Sequence, residues 1–243
     1  MRLHRVLPEI DSPARAAIVT GDADRIPVFA DALGKASRSW QRRELVVTEV
    51  ESDDGPLLIA CHGQGGFSTA ILVEELIDSG VRAIVRVGSC GTLQPDVAKD
   101  TVVISTGSVR DDGASASYLP IEVPAVPDTR LVLGLCRSLH GHQLDYTLGL
   151  THCKDSYYSA DPSRRVFGRD WAERYKLLEE LGVVATEAEA ASLFAVSAVR
   201  RARSAALFVV GAASDPENEL MVRCAVVAAD AMRAALERPD DFG

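Results

Sequence analysis

The chain has 243 residues, of which 47% are hydrophobic, so it is long enough to bury a large core. Its formal net charge of −9 argues against nucleic-acid binding, which needs clustered Lys and Arg, although a few local arginines could still hold a small anion. The N-terminal segment lacks the apolar region of a signal peptide and no apolar run reaches roughly 18 residues, so we expect a cytoplasmic protein with no nucleic-acid or membrane partner.

The five cysteines lie at irregular spacing and include no CxxC pair, which argues against a zinc site. Most of them fall inside apolar segments, and we predict that they are reduced and buried. They are Cys61, Cys90, Cys136, Cys153 and Cys224. No linker-like stretch or internal repeat interrupts the chain, which predicts a single domain over residues 1–243.

Apolar runs of strand length recur along the chain, several of them without polar alternation, as is typical of strands covered on both faces. The predicted strands are residues 16–20, 56–61, 83–87, 101–105 and 207–210. Apolar residues near a 3.6-residue period predict helices at residues 69–78, 128–139, 171–181 and 187–201. This alternation predicts an α/β fold with a central mixed, largely parallel twisted sheet flanked by helices.

Glycine and charged residues cluster where three predicted strands end, at the edge where ligands bind in such sheets. The clusters cover residues 21–25, 62–66 and 86–91. Gly21 lets the backbone come close to a ligand, and Arg25 in the first turn of the next helix can donate to phosphate. Arg86 and Ser89 offer similar chemistry. Such glycine turns often only reverse the chain, but two arginines at two strand ends favour an anion site.

Three segments resemble the hexameric nucleoside phosphorylase family, and specifically its uridine phosphorylase-like branch. They read GDADRIPVFADAL, HGQGGFSTAILVEELIDSGVRAIVRVGSCGTLQP and SVRDDGASASYLPIEVPAVPD. The resemblance implies a pentosyltransferase that cleaves the N-glycosidic bond of a ribonucleoside with inorganic phosphate as co-substrate and without another cofactor. It also implies that the sheet closes into a distorted barrel and that the chain assembles as a homo-hexamer built from three dimers.

The family's phosphate motifs match four residues here: Gly21, Arg25, Arg86 and Ser89. A further family arginine reaches into the phosphate site of a neighbouring subunit and corresponds to Arg43. The adjacent Arg42 leaves this register open by one residue, and a solvated surface charge is the alternative interpretation. Three arginines favour a phosphorylase over a hydrolase, because only a phosphorylase must hold a dianion against the sugar.

The ribose site implied by the resemblance centres on two acids. Glu189 matches the second acid of the family's Glu-Met-Glu motif, which accepts hydrogen bonds from ribose hydroxyls, and Glu187 assists it. Ala188 replaces the usual Met and removes an apolar wall. His4 resembles the N-terminal histidine that reaches a neighbouring subunit's ribose. The alternatives are that the acids only complement a helix dipole and that His4 is merely exposed.

The base site implied by the resemblance comprises Cys90, Gly91, Tyr157, Asp161 and Asp215. Tyr157 stands at the aromatic position that stacks on the base. Uridine phosphorylases follow this aromatic residue with a glutamine and an arginine that read uracil, whereas this chain has Asp161 and then Arg164 and Arg165. Either arginine could substitute only if the loop shifts.

Asp215 follows Ser214, as in purine-cleaving relatives, whose aspartic acid protonates or hydrogen-bonds purine N7 while the bond breaks. The resemblance therefore makes Asp215 and Arg86 the candidate catalytic residues. An alternative is that Asp215 is the N-cap of a helix that begins near Pro216. These observations favour phosphate-dependent cleavage of a purine ribonucleoside.

Three other functions remain open from the sequence: a uridine phosphorylase with an altered base loop, a phosphate-independent nucleosidase, and a nucleoside-binding module without catalysis. Phosphate-independent cleavage would identify the nucleosidase, and binding without turnover would identify the module. No metal-ligand spacing is present. Some members of the branch hold a monovalent cation between subunits near the residue that matches Glu44, and such a cation is possible here.

Overall fold

The computed structural model describes residues 4–161, 163–164 and 170–237, and within them the chain forms nine strands and seven helices. The strands are β1 (Ala16–Thr20), β2 (Lys35–Arg42), β3 (Leu45–Ser52), β4 (Gly55–Cys61), β5 (Ala83–Thr92), β6 (Val102–Asp111), β7 (Tyr146–Lys154), β8 (Ala185–Glu187) and β9 (Arg203–Val210). The helices are α1 (Arg25–Leu33), α2 (Gly66–Asp78), α3 (Gly113–Tyr118), α4 (Thr129–Gly141), α5 (Trp171–Glu180), α6 (Ala190–Val199) and α7 (Glu219–Leu236).

The described strands belong to one sheet in the order β2-β3-β4-β1-β5-β8-β7-β6-β9. A further pairing of β5 with β9 closes the last five strands into a ring. Parallel pairs join β1 to β4 and β5, β5 to β9, and β7 to β6 and β8. The remaining neighbours, including β5 with β8, are antiparallel. The predicted α/β fold with a mixed, largely parallel sheet and a distorted barrel is confirmed.

Helices cover the sheet in two groups. Helices α2, α3 and α6 contact one another, and α7 contacts both α1 and α4. The two faces of β1 pack into separate hydrophobic cores. Val19 lies in the core that includes α2 and α6, and Ile18 lies in the core that includes α4 and α7. Because alternate side chains of a strand point to opposite faces, this double coverage explains the unbroken apolar runs of the sequence.

Two details of the predicted helices are wrong. The predicted helix at residues 187–201 starts too early, because Glu187 ends β8 and α6 begins only at Ala190. The interpretation of Asp215 as a helix N-cap is also wrong. The N-cap of α7 is Asn218, whose side-chain oxygen accepts a hydrogen bond of 3.0 Å from the Met221 amide. Asp215 is therefore not needed to start α7.

The cysteines are all free, and four of them are buried, as predicted. Cys136 departs from the prediction because it is only half-buried, on the side of α4. Among the described helices, none combines the length and the hydropathy that crossing a membrane requires.

Candidate active site

The ends of β1 and β4 meet at Gly21. A Cβ atom at this position would lie 3.1 Å from the carbonyl oxygen of Gly63 and 3.5 Å from Cε1 of His62. A larger side chain at Gly21 would therefore press against the loop that follows β4. This close approach brings together the predicted clusters at residues 21–25 and 62–66.

Arg86 on β5 is the centre of the site, and its side chain is buried. Its Nη2 donates to Oε2 of Glu189 at 2.5 Å, and its Nη1 donates to Nε2 of His62 at 3.2 Å. The guanidinium lies over Gly88, where a Cβ atom would come within 2.7 Å of Nη1. The glycine of the predicted phosphate motif thus makes room for the arginine of the same motif.

His62 is fully buried at the end of β4 and orients Arg86. Its Nδ1 is 2.8 Å from the carbonyl oxygen of Gly63, so Nδ1 carries the proton and Nε2 accepts from Arg86. Burial and then the positive charge of Arg86 lower the pKa of His62 to about 3. The imidazole is neutral at neutral pH. The sequence analysis noted residues 62–66 without a role for His62, and its place at a strand end was the available signal.

Glu189 is a buried, charged carboxylate that faces Arg86. Its Oε1 accepts a hydrogen bond of 2.8 Å from the Gly65 amide, which lies at the start of α2. Burial alone would raise the pKa of Glu189, but Arg86, His62 and the Gly65 amide outweigh it and lower the pKa. As the N-cap of α6 it makes no side-chain capping bond, because its carboxylate is turned to the site.

Glu187 caps α6 instead. Its Oε2 accepts hydrogen bonds from the amides of Glu189 and Ala190 at 2.8 and 2.9 Å. Burial and then the charge of Glu189 raise the pKa of Glu187 to about 7. Within the described residues its Oε1 is buried without a hydrogen-bond partner. The two predicted ribose acids therefore differ in protonation, and only Glu189 is firmly ionised.

Arg25 brings a second buried cation to the same place. Its Nη2 donates to the carbonyl oxygen of Ala212 at 3.1 Å and its Nη1 to Oγ1 of Thr20 at 3.5 Å. Burial lowers its pKa, and the charge of Arg86 contributes in the same direction. The Nε atoms of both arginines are buried and find no hydrogen-bond acceptor among the described residues. Two desolvated cations with spare donors are suited to an oxyanion such as phosphate.

Three further predicted site residues follow Arg86 along β5. Ser89 is half-buried, and Gly91 is exposed at the point where β5 pairs with Thr186 of β8. Cys90 is buried, and burial raises the pKa of its thiol to about 12. The thiol is therefore protonated and serves as a small wall rather than as a nucleophile.

The predicted base loop is exposed. Tyr157 has 80% of its surface accessible and contacts Tyr158 edge to face, with ring centres 5.3 Å apart. Asp161 accepts hydrogen bonds from the amide and hydroxyl of Ser163, which lower its pKa. Arg164 pairs with Asp161 at 3.6 Å and stacks over Tyr158. Pro162 and Arg165 of the same loop lie outside the described residues.

Asp215 is exposed in the turn between β9 and α7, where its Oδ1 accepts from the Glu217 amide at 3.1 Å. Burial lowers the pKa of Arg25, and the charges of Asp22 and Asp215 oppose this lowering. The negative charge of Asp215 therefore acts on Arg25 from this turn.

Three predicted site residues stand apart from this cluster or contribute little to it. His4 is exposed, and Arg43 is exposed in the turn between β2 and β3 with a positive φ of 55°. Neither makes a hydrogen bond or ion pair to the described site residues of its own chain. Ala188 is half-buried between the two acids. One subunit therefore assembles Arg25, Arg86 and Glu189 but not His4 or Arg43.

A surface cleft with a volume of about 680 Å³ lies elsewhere, along α5. It is lined by Asp111, Asp170, Glu173, Arg174, Lys176, Leu177 and Glu180. None of these is a predicted site residue. Most of the lining side chains are charged, whereas a nucleoside site is lined mainly by apolar side chains. In the part of the chain that is described, no three His, Cys, Asp or Glu side chains are grouped to hold a metal ion.

The known proteins to which this chain is similar are phosphorylases. Residues 15–238 match the family described as the phosphorylase superfamily. Uridine phosphorylase of Treponema pallidum (strain Nichols) is 34% identical over 194 residues, 79% of this chain and 75% of that protein. Uridine phosphorylase of Escherichia coli (strain K12) is 32% identical over 195 residues, 79% and 77% of the two chains. Guanosine phosphorylase of Halorubrum lacusprofundi is 30% identical over 194 residues, 80% and 76%.

Proposed function

Since this chain belongs to the phosphorylase superfamily, we propose that it cleaves the N-glycosidic bond of a purine ribonucleoside with inorganic phosphate, giving the free base and ribose 1-phosphate. The observation that carries the proposal is the pair of buried arginines, Arg25 and Arg86, whose Nε atoms have no acceptor among the described residues. Water needs no such cationic pocket, whereas a phosphate dianion does.

The proposed chemistry is a displacement at the anomeric carbon of ribose. A phosphate oxygen held by Gly21, Arg25, Arg86 and Ser89 forms a bond to C1′ while the bond from C1′ to the base nitrogen breaks. The electron pair of that bond goes to the base, and Asp215 supplies a proton or hydrogen bond to N7. Glu189 holds the ribose hydroxyls through an oxocarbenium-like transition state. Its existing bond to Arg86 links the sugar site to the phosphate site.

Two residues of the predicted base site, Asp215 and Asp161, favour a purine over uracil as the base. The negative charge of Asp215 acts on Arg25, which supports assigning the leaving-group acid to this residue. Asp161, where uridine phosphorylases carry a uracil-reading glutamine, is bound within its own turn to Ser163. A relative named guanosine phosphorylase is 30% identical, a few per cent below the 32–34% of the two uridine phosphorylases named above.

Uridine phosphorolysis is the second candidate, favoured by the names of most of the similar proteins. It would need the segment around Tyr157 and Asp161 to read uracil in a new way. Phosphate-independent hydrolysis is opposed by the two desolvated arginines.

We further propose that the working enzyme is a homo-hexamer built as a trimer of dimers, because His4 and Arg43 do not reach the site of their own chain. A monovalent cation between subunits would lie near Glu44, whose Oε1 is 3.4 Å from the hydroxyl of Ser68. A cytoplasmic location, and the lack of nucleic-acid and membrane partners, stay predictions from the sequence.

The test is base release from inosine, guanosine, adenosine and uridine by the purified protein, with and without phosphate. Phosphate-dependent release from a purine nucleoside is the expected result. Cleavage of uridine alone would replace the purine proposal with the second candidate. Release without phosphate, or no release from any nucleoside, would overturn the phosphorylase proposal.

A further inference from the structure

Lys154, the last residue of β7, is a half-buried cation that none of the roles above uses. Its Nζ donates a hydrogen bond of 3.0 Å to Oγ1 of Thr186 on the neighbouring strand β8. Burial lowers its pKa, while the charges of Glu187 and then Glu189 raise it. The amine therefore lies within the electrostatic reach of both predicted ribose acids.

Thr186 connects Lys154 to the base site. It pairs with Gly91 in the antiparallel register of β5 and β8, and a Cβ atom on Gly91 would be 3.4 Å from Cγ2 of Thr186. Gly91 is exposed and belongs to the predicted base site. The amine of Lys154 thus stands one side chain away from the surface against which a base would lie.

A chain of hydrogen bonds holds this amine in place. Oγ1 of Thr186 is 3.1 Å from Nδ1 of His152, and Nε2 of His152 is 2.9 Å from Oδ2 of Asp111. Asp111 also accepts from Nε of Arg174 at 2.8 Å. With the ring proton of His152 directed to Asp111, the Thr186 hydroxyl donates to His152 and accepts from Lys154. These hydrogen bonds hold Nζ of Lys154 against Thr186 of β8.

An ammonium group has three N–H donors and no acceptor. Thr186 is the only hydrogen-bond acceptor of Lys154 among the described residues, so two donors remain for a ligand. A 6-oxopurine presents the acceptor O6, whereas adenine presents an amino donor at the same position. A donor facing a donor leaves both unpaired, which is unfavourable in a desolvated site.

We propose that Lys154 is a specificity-determining residue that donates to the carbonyl oxygen of the departing base, so that the enzyme prefers inosine and guanosine to adenosine. This inference rests on the proposed function, because it names the substrate class of the same site. It assigns the selection between oxo and amino bases to a lysine on β7 rather than to the loop that contains Asp161.

The test compares kcat/KM for inosine and adenosine, at saturating phosphate, in the wild type and in Lys154→Met. The wild type should prefer inosine, and the ratio should fall by roughly tenfold or more in the variant, since hydrogen bonds to charged groups are of that strength. The KM for phosphate should not change. Lys176→Met, which alters an exposed lysine of α5, is the matched control and should keep the wild-type ratio.

Equal losses for both nucleosides in Lys154→Met would overturn the inference, because a merely structural lysine affects both alike. A wild type that prefers adenosine would also overturn it. If the wild type cleaves only pyrimidine nucleosides, the purine proposal fails by itself, and the ratio of uridine to cytidine cleavage then tests the oxo preference in the same variant. A fall in that ratio supports the role of Lys154, and an unchanged ratio rejects it.

Discussion

Glu187 and Glu189 are two residues apart, yet their environments shift their pKa values in opposite directions. The pKa of Glu187 is raised and that of Glu189 is lowered. Arg86 approaches Glu189 to 2.5 Å but stays 3.8 Å from Glu187, so only Glu189 has a strong partner for its charge. Burial, followed by the charge of Glu189, raises the pKa of Glu187 to about 7. Two carboxylates with separated pKa values are typical of sites where one acid stays ionised and the other holds a proton.

The raised pKa of Glu187 gives a prediction for stability. Because its folded pKa lies above its unfolded value, ionisation of Glu187 destabilises the folded state increasingly as pH rises from about 4.5 to about 7, by about 1.4 kcal/mol for each unit of pKa shift. Glu187→Gln stays neutral, so its thermal midpoint relative to the wild type should rise with pH over this range. Measurements at several pH values, at fixed protein concentration, test this. A difference independent of pH would contradict the raised pKa.

Asp215 gives a second prediction, which concerns turnover alone. Asp215→Asn removes the acid that would meet N7, so kcat for purine nucleosides should fall by about 10²–10⁴-fold. Thermal stabilisation by phosphate should be retained, because Arg25 and Arg86 are unchanged. Asp31→Asn, at an exposed acid of α1, is the matched control and should keep full activity. Unchanged turnover of Asp215→Asn would remove Asp215 from the mechanism.

At the scale of elements, β5 makes room for Arg86 of the proposed phosphate site by placing Gly88 beneath the guanidinium. In Gly88→Ala the new Cβ atom would meet the Arg86 guanidinium at 2.7 Å. The guanidinium is the mobile end of a long side chain, so it should move away from Glu189 and His62 while the strand stays folded. We expect the KM for phosphate to rise about tenfold or more and the thermal midpoint to fall, because buried Glu189 loses the partner of its charge. Gly141→Ala, at an open position, is the control.

The elements also show what a sequence can predict. Strand β1 was predicted because four of its five residues are apolar, and all five are buried in the structure. Strand β2 was not, because its side chains are mostly exposed and it is held by pairing with β3. Strand β8 has only three residues, too few for a period, so Glu187 was assigned to a helix. Glycine and arginine at strand ends pointed to the two buried arginines of the proposed phosphate site. The bond from Arg86 to His62 joins residues 24 positions apart, so no local sequence pattern could predict it.

At the scale of the whole molecule, the proposed site is divided between subunits. Arg25, Arg86 and Glu189 meet within one chain, whereas Arg43 is exposed on the turn between β2 and β3. In a twofold dimer, residue i of one subunit meets residue j of the other, and the reverse contact forms as well. Two identical sites would then each take one arginine from the partner.

This division predicts complementation between two inactive variants. In a mixed dimer of Arg43→Ala and Asp215→Asn subunits, the site of the Arg43→Ala subunit keeps its own Asp215 and receives Arg43 from its partner. Random pairing should therefore restore about a quarter of wild-type activity in co-expressed protein, since half of the dimers are mixed and each has one intact site. The same experiment with Arg42→Ala decides which arginine crosses the interface, because only the crossing residue can be supplied by a partner. Activity of the mixture no greater than that of the separate variants would mean that each subunit completes its own site.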